Sequence, residues 1–150
     1  MWLDATLAYL HFTAVFILFA FLTVEVMLSR GTLDAKAVAM LGRVDLWYLG
    51  AAAAVLATGL GRAIAGAKGW AFYSGDWVFW AKVASFAVVG GLSIPPSMAY
   101  RRWRLRAASA PSFVVPEDER RRLRRYLMGE LHVVALIPVL AVILSRGLAR

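Results

Sequence analysis

The stretch 3–28, LDATLAYLHFTAVFILFAFLTVEVML, decides the fold. It is long and apolar enough to cross a hydrocarbon layer of about 30 Å, which takes roughly 20 residues of helix, yet it carries His11 and Glu25. With a rise of about 1.5 Å and a turn of about 100° per residue, those two side chains stand roughly 21 Å apart along the axis and about 40° apart around it. They therefore share a face. An ionisable side chain at membrane depth costs at least about 2.5 kcal/mol on insertion scales, so it faces a bundle interior and marks a site.

Three more stretches repeat the apolar pattern, giving expected spans at about 3–28, 44–64, 78–94 and 126–145. Of the 150 residues, 61% are hydrophobic, against roughly 45 to 50% in soluble proteins. The fold class is therefore all-α: an integral membrane four-helix bundle forming a single transmembrane domain over 1–150. The opening Met1-Trp2-Leu3-Asp4 has no basic region and is not expected to be a removable signal peptide. Without cysteine the chain has no disulfide, thiolate metal site or covalent haem linkage.

The net charge is +8, and the 17 basic residues are not spread evenly. Arg30, Lys36 and Arg43 lie in one expected loop, and Arg101, Arg102, Arg104, Arg106, Arg120, Arg121, Arg122, Arg124 and Arg125 in another. The positive-inside rule places both loops in the cytoplasm and both termini outside, in the periplasm of a bacterial inner membrane. Topology thus explains the charge, and nucleic acid is not an expected partner. Anionic lipid at the basic loop is, each nearby Lys or Arg being worth about 1 kcal/mol there. Thr32 is expected to cap a short amphipathic helix, Leu33 to Leu41, in the first cytoplasmic loop. Pro95-Pro96 should stop or kink span three and Pro138 should kink span four, while Pro116 followed by Glu117, Asp118 and Glu119 makes a favourable helix start. Gly50, the alanines 51–54, Gly59 and Gly61 suit span two to close helix packing.

Depth sorts the polar residues. His11 and Lys82 differ by only about 6 Å in height at 1.5 Å per residue, and Arg62 stands near the same surface. They form an expected outer site, with Lys68 above it and Trp70, Tyr73, Trp77 and Trp80 around it as an interfacial belt. A neutral imidazole is a ligand for haem iron, so His11 is the candidate for haem b, with Lys82 as second ligand or propionate partner and Arg62 and Lys68 as further propionate partners. On the inner side Glu25, Glu130, His132, Arg43 and Asp45 form a second cluster centred on Glu25 and His132, a candidate proton path. His11 and His132 lie at different heights and are not expected to share one haem.

The strings Tyr9-Leu10-His11-Phe12, Ala57-Thr58-Gly59-Leu60-Gly61-Arg62, Phe79-Trp80-Ala81-Lys82, Leu92-Ser93-Ile94-Pro95-Pro96 and Glu130-Leu131-His132 form a set. With Gly66-Ala67-Lys68-Gly69-Trp70-Ala71-Phe72-Tyr73, they resemble a bacterial family of small four-span membrane proteins of unknown function. That resemblance implies the fold. More distantly, a first-span histidine with a third-span lysine is similar to the HemJ-type membrane protoporphyrinogen oxidases, which implies haem b bound at His11 and Lys82. The wider group of cytochrome b-like membrane bundles, copper-resistance membrane proteins among them, shares the plan. Three functions stand open: a haem b-binding redox protein acting on a porphyrin or quinone, a non-enzymatic accessory or scaffold subunit, and a small proton-coupled or metal-ion carrier using His11, Glu25 and His132. Self-association into a homo-oligomer is compatible with each.

Overall fold

The computed structural model of the protein describes residues 2–66, 69–110 and 112–146. Lys68 lies outside the described residues. The elements are α1 (Trp2–Leu28), α2 (Ala35–Ala65), a short α3 (Gly69–Ser74), α4 (Trp77–Ser109) and α5 (Glu117–Arg146). Four of them are long and apolar enough to cross a membrane. The longest, α4, has 33 residues, about 50 Å at 1.5 Å per residue, which exceeds a hydrocarbon core of about 30 Å. Its arginine-rich end therefore projects past the apolar layer, together with the first turns of α5.

The helices form a square. α1 packs on α2, α2 on α4, α4 on α5 and α5 on α1, whereas the backbones of α1 and α4, and of α2 and α5, stand apart across the diagonals. Large apolar side chains such as Phe16, Trp47, Leu56 and Val139 point outward, as a lipid-facing surface requires. Leu18, Leu22, Tyr48, Val89, Trp103, Leu127 and Val134 fill the interior.

At the basic end the structure departs from two expectations. No separate amphipathic helix occupies 33–41: α2 runs unbroken from Ala35, capped by Asp34, whose carboxylate accepts from the Ala37 N–H at 2.8 Å. Thr32 does not cap it. The apolar face of this segment, Leu33, Val38 and Leu41, is fully buried and belongs to the same core as Trp103, Val115 and Leu123. It is therefore held against protein rather than laid on lipid. Second, α4 continues through Pro95-Pro96 to Ser109. The prolines withhold two N–H donors from the turn before them, but Ser93, Pro96, Ala99 and Tyr100 are buried along this stretch, and packing carries the helix across the gap. In keeping with the helix start expected after Pro116, α5 begins at Glu117, nine residues before its apolar portion, with the acidic first turn that favours the positive helix end.

These extensions tie the two loops together. The Val115 N–H donates to the Leu33 carbonyl at 3.0 Å, next to an antiparallel bridge between Asp34 and Val114. The Arg120 guanidinium donates to the Gly31 carbonyl at 2.8 Å. Between α4 and α5 the indole N–H of Trp103 donates to Glu119 at 2.6 Å, and Arg106 pairs with the other oxygen at 2.7 Å. The Trp103 hydrogen bond, seconded by Arg106, holds the Glu119 carboxyl below its ordinary value. A carboxyl lowered in the folded state stabilises above its unfolded value and loses that contribution as pH falls through the folded one. Thermal unfolding should accordingly find Glu119→Gln less stable than wild type at pH 7, with the difference closing as the pH is taken below the unfolded-state value of 4.5.

Candidate functional site

The outer half of the bundle is built on the close approach of α1 and α2. Gly59 makes room for the His11 ring: a Cβ at that position would meet the ring's Cε1 at 3.1 Å. Two residues further along α2, a Cβ on Gly61 would touch Leu7 at 3.5 Å. His11 Nδ1 lies 3.0 Å from the Thr58 hydroxyl oxygen. That hydroxyl has one hydrogen, directed to the Ala54 carbonyl at 2.6 Å, so its oxygen accepts and Nδ1 carries the proton. The ring also has a hydrogen bond with the Val55 backbone. Arg62 stacks on the Phe12 ring at 5.5 Å and has a buried Nε without a partner. Lys82, on α4, and Arg62 are the charged groups whose fields reach the His11 ring.

Beyond them, Trp70, Tyr73, Phe79 and Trp80 pack on one another. Trp70 packs edge-on against Phe79 and Trp80 at 5.9 and 6.4 Å, Tyr73 against Phe79 at 5.6 Å, and the Trp80 indole N–H donates to the Ser74 carbonyl at 3.0 Å. They form a self-supporting cluster with Trp70, Trp77 and Trp80 exposed, which suits an interfacial belt.

The inner half holds three buried carboxyl groups. Glu25 and Glu130 are each 1% exposed and Asp45 8%. The Tyr100 hydroxyl donates to Glu25 Oε2 at 3.0 Å, Tyr48 to Glu130 Oε1 at 3.4 Å and Ser97 to Asp45 Oδ1 at 2.7 Å. Glu25 Oε1 has no partner. The first two bonds run along the diagonals of the square, α4 to α1 and α2 to α5. They join helices whose backbones do not touch.

Two residues expected here are elsewhere. His132 is exposed on the outer face of α5, and its Nδ1 lies 2.6 Å from the Met128 carbonyl of its own helix, to which an Nδ1–H donates. Its separation from Glu130 explains this: two positions turn a helix by about 200°, so when one faces in the other faces out. Arg43 is also exposed. Tyr48, Ser97 and Tyr100 were missed, although a signal existed. Asp45 and Tyr48, and likewise Ser97 and Tyr100, are three positions apart and so share a helix face. Among the described residues no three His, Asp or Glu side chains converge closely enough to hold a metal ion.

The two halves are geometrically linked. Glu25 and His11 on α1, and Tyr48 and Arg62 on α2, are each 14 positions apart, about 40° around a helix. Tyr100 and Lys82 on α4 are 18 apart, which is about five full turns. Turning the inner residues into the bundle turns the outer ones in with them.

The chain belongs to the family described as "Predicted membrane protein (DUF2214)", whose family model matches residues 3–149. No curated protein and no solved structure matches it.

The His11–Gly59 contact yields a direct test. Gly59→Val would press two further methyl groups towards the ring and should lower stability by about 1 to 3 kcal/mol, the usual cost of overpacking. In a His11→Ala background the same substitution should cost clearly less, as read from thermal unfolding of both pairs.

Proposed function

We propose that the chain is a haem b-binding protein of a bacterial inner membrane, with both termini outside, and that it takes part in redox chemistry on a porphyrin or quinone. The observation that carries the reading is the state of His11. Thr58 at Nδ1 and the Val55 backbone hold the imidazole in one orientation against α2. Imidazoles that ligate iron are oriented in this way through the nitrogen that does not bind. The other residues fit the group as well: Arg62, with its unpartnered buried Nε, offers a charge-assisted donor for a propionate, and Lys82 offers a second cation or a second ligand. When bound, the haem would supply one-electron chemistry. The chain's own part is to hold the imidazole in one tautomer and to exclude water with Phe12 and the neighbouring α1–α2 contact. On the inner side it keeps protonatable groups, Glu25 with Glu130 and Asp45, within the bundle.

A second reading, an accessory subunit whose polar residues only lock the helices, is favoured by the diagonal Tyr–Glu bonds, which need no ligand to explain them. The absorption spectrum separates the two. Protein purified after expression with added haem should show a Soret band that His11→Ala abolishes and Arg62→Gln weakens. Absence of the band in wild type, or an unchanged band in His11→Ala, would overturn the haem reading.

A further inference from the structure

The basic end of the bundle carries more cations than its acids can pair. Arg106 is committed to Glu119, Arg121 to Glu117, and Arg120 to Glu117 and the Gly31 carbonyl. Arg30, Arg124 and Arg125 are exposed and make no ion pair among the described residues. Two of them stand at one cleft. It lies between the end of α1 and the first third of α5, has a volume of about 260 Å³, and is lined by Val26, Ser29, Arg30, Arg124, Leu127 and Met128. A wider, shallower depression carrying Arg125 opens beside it.

The cleft has two chemistries stacked by depth. Arg30 follows the last turn of α1 and Arg124 precedes the apolar portion of α5, so both guanidinium groups stand at head-group level. Val26 and Leu127 belong to the first apolar turns below them, and Met128 forms a flexible rim. Ser29 adds no donor, because its hydroxyl is spent on the Val26 carbonyl at 2.7 Å. A soluble polyanion would match the cations but leave the apolar wall unused, and a neutral lipid would do the reverse.

We propose that this cleft is a binding site for an anionic phospholipid, with its phosphate between Arg30 and Arg124 and the start of an acyl chain along Met128, over a floor closed by the buried Val26 and Leu127. Guanidinium forks match phosphate oxygens in a way an ammonium does not, and the cytoplasmic leaflet supplies anionic head groups at this depth. The bound lipid would bridge α1 and α5, a side of the square that has no polar bond between helices in the inner half among the described residues. The site is independent of the haem reading, being at the other end of the molecule.

The test uses the purified chain in neutral detergent micelles doped with phosphatidylglycerol, with phosphatidylcholine, or with inorganic phosphate at equal concentration. The midpoint of thermal unfolding should rise with phosphatidylglycerol alone. The rise should vanish in the double variant Arg30→Gln, Arg124→Gln and persist in the control Arg101→Gln, Arg102→Gln, whose arginines lie on α4 away from the cleft. Native mass spectrometry of wild type should show phosphatidylglycerol retained where phosphatidylcholine is not. An equal rise with phosphatidylcholine or with inorganic phosphate would overturn the assignment, as would an undiminished rise in the cleft variant.

Discussion

Two phenol-to-carboxyl hydrogen bonds cross the interior of this protein, and the arrangement of the rest depends on them. Tyr100 reaches Glu25 and Tyr48 reaches Glu130, each across a diagonal of the helix square. A carboxyl buried without a hydrogen bond is costly in any apolar medium, and a bilayer offers no water to repair the loss. Leu–Leu contacts between membrane helices discriminate weakly between rotations, because lipid tails are as apolar as leucine. The polar pairs discriminate strongly. Any rotation that breaks them leaves a donor and an acceptor unpaired in the core.

That constraint is transmitted along the helix axes. Once Glu25, Tyr48 and Tyr100 face inward, helical geometry brings His11, Arg62 and Lys82 inward at the other end, on three different helices. The outer group is therefore positioned by the inner one, over a distance that no side chain spans. Gly59 completes the arrangement by letting the His11 ring lie against α2, where Thr58 sets its tautomer. The same bonds can be read as structure alone or as the frame of a cofactor site, because a site that must hold an imidazole and two cations in register needs such a frame.

Much of this was legible in the sequence, and the failures have identifiable causes. Hydropathy and basic-residue placement revealed four helices and a basic end, because length and charge are properties of the chain itself. Depth counting puts His11, Lys82 and Arg62 at similar heights, because rise per residue is a property of any helix. Depth alone failed at the other end, since it placed His132 and Arg43 beside Glu25 without asking which way each faced. The angular step between Glu130 and His132 would have separated them. The cap falls on Asp34 rather than Thr32, and the burial of Leu33, Val38 and Leu41 that goes with it is a tertiary fact the local sequence does not carry. Tyr48 and Tyr100 are harder to find, for nothing in composition marks a phenol as the partner of a carboxylate on a distant helix.

The central claim is that the diagonal bonds hold the helix rotations. A double-mutant cycle on Tyr100→Phe and Glu25→Gln, followed by equilibrium unfolding, tests it most directly. Each single variant should be destabilised, with a coupling between them of roughly 1 to 2 kcal/mol, in the range found for residues in direct contact. A coupling indistinguishable from zero would contradict the account.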